Sequence, residues 1–163
     1  YSHESGLNLT VGYLNADDAN SDVSYTDVGV TYTGVDGLTV GYGQGDVEQT
    51  TNTKSDESTM FAKYAIGSMT VGIQISEKDN ETGNDYESTG IGISYQVNDD
   101  LTVSYGTNTL EKSGSNDQEA QALGISYTMG SLGIALSMNT VDNIANSATN
   151  DRDAYQLGLS FAF

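Results

Sequence analysis

The sequence predicts an all-β fold, an antiparallel barrel of about ten strands, on three observations: a fixed repeat, a strict two-residue alternation and connections that alternate in length. Leu7-Asn-Leu-Thr-Val-Gly-Tyr13, Leu38-Thr-Val-Gly-Tyr42, Met69-Thr-Val-Gly-Ile73, Leu101-Thr-Val-Ser-Tyr105 and Leu132-Gly-Ile-Ala-Leu136 begin 31, 31, 32 and 31 residues apart. A constant period of this size marks one supersecondary unit used repeatedly. Each unit holds two alternating runs, so the unit is a β-hairpin.

Taken in order, strands are expected at 7–13, 23–33, 38–44, 58–66, 69–76, 87–97, 101–110, 120–129, 132–141 and 153–163. In the third, Leu38, Val40 and Tyr42 share one face and Thr39, Gly41 and Gly43 the other. In the fifth, Met69, Val71, Ile73 and Ile75 oppose Thr70, Gly72, Gln74 and Ser76. Leu132, Ile134, Leu136 and Met138 in the ninth oppose Gly133, Ala135, Ser137 and Asn139. Short links join the strands at 34–37, 67–68, 98–100 and 130–131. The two Gly-Ser links suit primed hairpin turns, where glycine accepts a positive φ. Long links are expected at 14–22, 45–57, 77–86, 111–119 and 142–152, all rich in Asn, Asp, Ser, Thr and Gly.

Composition narrows the class. No run approaches the 18 consecutive apolar residues of a membrane helix, but alternating strands carry a much weaker signal per segment. There is no Cys, hence no disulfide framework and no thiolate metal site. The net charge of −18, from 23 acids against five cations, argues against nucleic acid as a partner. Eleven Tyr with abundant Val, Ile and Thr argue against disorder.

Two details place the apolar face outside rather than inside. Tyr32, Tyr64, Tyr95 and Tyr127 each lie a few residues before a short turn, while Tyr13, Tyr42 and Tyr105 lie nearer the long links. On a barrel these form two aromatic girdles flanking a band of Val, Ile, Leu and Met, the arrangement of membrane interfaces. The opposite face is built of Gly, Ser, Thr, Ala and Gln, which suits a surface lining water. Asp27, Lys63, Gln74 and Gln96 fall on that face and are expected to line a pore.

The repeated Leu-Thr-Val-Gly-Tyr strand starts, the loop and turn alternation and the terminal Leu157-Gly-Leu-Ser-Phe-Ala-Phe163 resemble the general diffusion porins of Gram-negative outer membranes. The resemblance implies a passive channel for small hydrophilic solutes in a sixteen-stranded barrel that assembles as a homotrimer. It also implies contact with outer-membrane lipid and lipopolysaccharide. Tyr155, Leu157, Leu159, Phe161 and Phe163 would then form the strand read by the outer-membrane assembly machinery. Ten strands are fewer than sixteen, and Tyr1-Ser-His3 followed by Glu4-Ser-Gly6 looks like an earlier strand entering a turn. The 163 residues are therefore expected to be one barrel domain or the carboxyl-terminal part of a larger one.

No catalytic constellation is present: His3 is the only histidine, and no nucleophile has a partner base. Loop carboxylates at Asp17, Asp18, Asp22 and at Asp79, Glu81, Asp85 are candidate Ca²⁺ ligands, although neither set matches a defined calcium loop. The acidic mouth leads to an expected cation preference. Two alternatives stand beside the channel: a non-conducting barrel serving as adhesin or envelope scaffold, and a repetitive soluble β-protein.

Overall fold

The computed structural model describes residues 1–15, 23–49, 53–162. Ten strands follow one another in chain order, each paired antiparallel with the next. They are β1 (Leu7–Leu14), β2 (Val23–Val35), β3 (Leu38–Gln49), β4 (Thr53–Ile66), β5 (Met69–Asn80), β6 (Tyr86–Gln96), β7 (Leu101–Lys112), β8 (Gln118–Met129), β9 (Leu132–Asp142) and β10 (Arg152–Phe161). The sheet is open: β1 and β10 stand at its two ends, so the chain forms part of a barrel wall. Residues 1–3 already pair with β1, through the Ser2–Asn8 bridge and reciprocal backbone bonds between Tyr1 and Leu9. Glu4 and Ser5 turn the chain between this single bridge and β1.

The tight turns form as their residues dictate. Gly67 and Gly130 have φ of 57° and 60°, while the serines that follow them do not enter the left-handed region. Glycine with positive φ at the first central position only is the II′ pattern, whose twist matches that of the flanking strands. At the 98–100 turn, the Asn98 side-chain oxygen accepts from the backbone N–H of Asp100 and Leu101, both at 2.9 Å. This is an Asx turn.

The strands run further toward the long connections than the apolar pattern indicates. β3 and β4 continue to Gln49 and from Thr53, so the expected loop over 45–57 is mostly hairpin, with Gly45 opposite Glu57 and Asp46 opposite Asp56. β5, β7 and β8 are likewise longer than expected. The backbone ladder needs no apolar side chains once its hydrogen bonds are registered, and apart from Val47 these extensions are polar on both faces.

No conventional core exists. Among the described residues no apolar side chain is buried, and Ser55 is the one buried polar residue. Val11 is 75% exposed, Leu157 62% and Ile91 55%. An apolar surface this extensive on a soluble monomer would be an interaction or aggregation site. Facing lipid, it is the stable arrangement, because the barrel's backbone groups are satisfied between strands.

Candidate functional site: the concave wall and its charges

Residues directly opposite in an antiparallel pair share a face. Tracing that rule through the nine registers divides the strands into two surfaces. One carries Leu9, Val30, Val40, Ala62, Ile73, Ile91 and their neighbours. The other carries Thr10, Gly29, Gly43, Thr59, Ser76, Ser88 and Asn108. A single groove reaches from Thr10 on β1 to Leu110 on β7, with Gly43, Thr59, Ser76 and Ser88 along it. One groove touching seven strands requires the sheet to curl around it. The small, polar surface is therefore the concave wall and the apolar surface the convex one.

Glycine positions the larger side chains of this wall. A Cβ at Gly12 would fall 2.2 Å from an Asp27 carboxylate oxygen, and one at Gly45 would meet the Asp27 Cβ at 3.2 Å. Asp27 lies over both glycines, its cross-strand partners. Phe61 lies over Gly41 in the same way, where an added Cβ would sit 2.4 Å from the ring. Ser104 covers Gly124 and Ser160 covers Gly133. Polar side chains bond along the wall: Thr59 and Ser76 hydroxyls at 2.9 Å, Gln74 Nε2 to the Ser76 Oγ at 3.2 Å, and Asn108 Nδ2 to the Ser88 Oγ at 2.9 Å.

The expected pore-lining residues Asp27, Lys63, Gln74 and Gln96 all have concave parity. They do not form one cluster. Asp27 lies toward the long-loop end, Gln74 is mid-wall opposite Phe61, Lys63 is three residues before the end of β4, and Gln96 ends β6 at the turn rim. The sequence reading missed Phe61, Tyr25 and Tyr86, three aromatics on the concave side. The signal was available, since Phe61 shares the parity of Lys63.

The charges sort between the surfaces. On the concave side the strands carry Asp27, Glu57, Lys63, Lys78, Lys112 and Arg152. Lys78 and Glu57 form an ion pair at 2.5 Å, and the Lys112 ammonium sits 5.9 Å from the Tyr86 ring centre. On the convex side, just beyond the apolar band, lie Asp46, Glu48, Asp56, Glu77, Asp79, Glu87, Glu111, Glu119, Asp142 and Asp153, against Lys54 alone. Many face one another directly: Asp46–Asp56–Asp79, Glu77–Glu87–Glu111 and Glu119–Asp142. The sequence reading had assigned most of these acids to loops.

The tyrosines named for the two girdles all have convex parity. Tyr32, Tyr64, Tyr95 and Tyr127 come within a few residues of the short turns. Tyr42 and Tyr105 sit near mid-band and donate to Gln44 (2.9 Å) and Gln121 (3.1 Å) on the loop side, while Tyr13 is next to the end of β1. Tyr155, Leu157, Leu159 and Phe161 share the convex face of β10; Phe163 lies outside the described residues. So do Asp17, Asp18 and Asp22. Asp79 faces outward beside Asp56, while Asp85 accepts from the Asn80 N–H at 2.9 Å within its turn. Among the described residues no group of three acids comes together as a metal site.

The last long loop is ordered by side-chain amides. Asn146 Nδ2 donates to the carbonyls of Leu110 (3.0 Å) and Asn116 (2.8 Å), and Asn143 Nδ2 to that of Asp117 (2.8 Å). Asn143, Ala145 and Asn146 all have positive φ, near 54–60°. The short 3-10 turn Ile144–Asn146 is thereby tied to the ends of β7 and β8.

A curled antiparallel sheet, apolar outside and small and polar inside, defines the class: an outer-membrane β-barrel. The Gram-negative porin family model matches residues 3–122 and 76–163. The chain belongs to the Gram-negative porin family and is an outer-membrane protein. A comparison with curated proteins finds no match. Three solved structures share the fold. A porin structure superposes with a TM-score of 0.82 at 17% identity, covering 100% of this chain and 60% of its own. The anion-selective porin of Comamonas acidovorans gives 0.77 at 18%, covering 99% and 57%. The trimer form of OmpT, an outer membrane protein of Vibrio cholerae, gives 0.73 at 16%, covering 99% and 62%. The chain thus spans about three fifths of the length of these structures.

Proposed function

We propose that the chain forms part of the wall of a water-filled channel through which small hydrophilic solutes diffuse passively across the outer membrane. The observation that carries this reading is the inversion of polarity: exposed Val, Ile and Leu on the convex face, and Gly, Ser and Thr on the concave one. Small concave side chains cannot fill an interior, as the side chains of small closed barrels do. They favour a wide, wet lumen over the adhesin or scaffold alternative. Ten strands over about three fifths of the relatives' length scale to a barrel of about sixteen, an even number as in bacterial single-chain barrels. Passage needs no covalent step, and the reading assigns no catalytic residue.

The finer parts belong to the same proposal. The convex face meets lipid, the acidic belt above it lies at the level of lipopolysaccharide head groups, and β10 with its outward Tyr155, Leu157, Leu159 and Phe161 serves as the assembly signal. A homotrimer is supported by the trimeric form of one solved relative. The expected cation preference rested on net charge at the mouth, and that argument weakens once the strand carboxylates lie on the convex face.

The test is conductance of the purified, folded outer-membrane form in planar lipid bilayers. Stepwise conductance that scales with salt concentration is the expected result. A folded, membrane-inserted protein that leaves the bilayer non-conducting would overturn the channel in favour of the scaffold.

A further inference from the structure

We propose that the lumen prefers small anions, inorganic or carboxylate, despite the chain's net charge of −18, and that Lys63 is a principal determinant of that sign. This rests on the channel reading and deepens it. Four of the five cations point to the concave side, and only two strand acids, Asp27 and Glu57, point there with them. Glu57 is taken up by Lys78. What remains on this wall is Asp27 against Lys63, Lys112 and Arg152.

Lys63 is the strongest of the three. It lies at the level of Val71 and Ile73 of the apolar band, between Thr39 and the glycine at position 72, and it lines a second groove with Phe61, Gln74 and Gly90. It has no ion-pair partner among the described residues. Lys112 is held against Tyr86 near the loop end, and Arg152 begins β10 at the same end.

Distance and screening decide which charges a permeating ion feels. The convex belt points away from the lumen and is separated from it by the sheet and its side chains, about 10 Å in all. That is about one Debye length at 0.1 M salt before an ion's own distance from the wall is added, so the belt's field inside the lumen is largely screened. Described loop acids such as Glu81, Asp117 and Asp151 stand at the mouth in bulk water. A wall charge passed at about 5 Å, half a Debye length, keeps most of its field and, even at the dielectric constant of water, is worth about a twofold change in the local concentration of each ion.

The experiment is the zero-current potential of the folded outer-membrane protein in a KCl gradient across a planar bilayer. Wild type is expected to give the anion-selective sign. Lys63→Glu should move the anion-to-cation permeability ratio toward cations by about sixteenfold, fourfold for the charge removed and fourfold for the one added, because the two ion concentrations change in opposite senses. Lys63→Gln should move it about fourfold in the same direction, and Lys112→Gln, at the loop end, by less. Glu87→Gln, on the convex belt, should leave it unchanged. A cation-selective wild type, or Lys63 variants that conduct with an unaltered ratio, would overturn the proposal and leave the channel standing. A folded protein without conductance would overturn both.

Discussion

The two surfaces of one sheet are made by the same strands, residue by residue, yet they obey opposite rules. Ile91 and the glycine that follows it are neighbours in β6, and the alternation of the strand sends one to each side. The convex side takes bulk and, beyond the apolar band, negative charge. The concave side takes mostly small residues, and beneath Asp27 and Phe61 it provides a glycine. The difference teaches that neither hydrophobicity nor charge, averaged along this chain, describes the protein. Each has to be assigned to a surface before it means anything.

The largest expected break of that contrast is a charge on the wrong side. Ile91→Lys should destabilise the folded barrel by about 2–4 kcal/mol if it reaches the bilayer midplane, whereas Gly92→Lys, whose added Cβ would meet nothing closer than 3.9 Å, should cost far less. Reversible unfolding by urea in lipid vesicles measures both. Equal losses would mean that the two sides are not distinguished by solvent.

A smaller effect sharpens the glycine rule within the concave side. Gly41→Val must displace the Phe61 ring and should cost about 1–3 kcal/mol as overpacking. Gly43→Val, where the nearest atom to an added Cβ is 3.7 Å away, should be neutral or better. Adding Phe61→Ala should recover most of the Gly41→Val loss, and a strictly additive double-mutant cycle would refute the contact.

The smallest effect concerns the acidic belt. Glu87 is flanked directly by Glu77 and Glu111, and like charges opposite one another are destabilising. Glu87→Gln should stabilise by about 0.2–1 kcal/mol at low salt and by less at high salt. Unfolding midpoints at two ionic strengths decide it, and a salt-independent change would mean the effect is not electrostatic.

Much of this arrangement was legible in the sequence. Wherever one residue in two is apolar, as in Met69–Ile75 or Leu132–Met138, the strand and its parity follow directly. The Gly-Ser turns were equally plain, because only glycine enters the required φ region cheaply. The strand ends near the long loops were not. In Thr53–Glu57 both faces are polar, so no periodicity marks the strand, and its ladder with Gly45–Gln49 is a backbone property. That omission had a consequence for charge. Asp46, Asp56 and Glu77 were read as mouth acids, when their strand parity sends them outward. The Asn146 clamp joins residues 30 and 36 positions apart and leaves no local signature.

The contrast rests on a concave side that is wet and a convex side that lies in lipid. These 163 residues contain no Cys, so each single cysteine is compared with the wild-type protein as background. Gly92→Cys and Ile91→Cys, prepared separately in the folded protein in lipid vesicles, would be challenged with a charged, membrane-impermeant thiol reagent. Rapid labelling of the first and protection of the second are expected. Protection of the first with labelling of the second would contradict it outright.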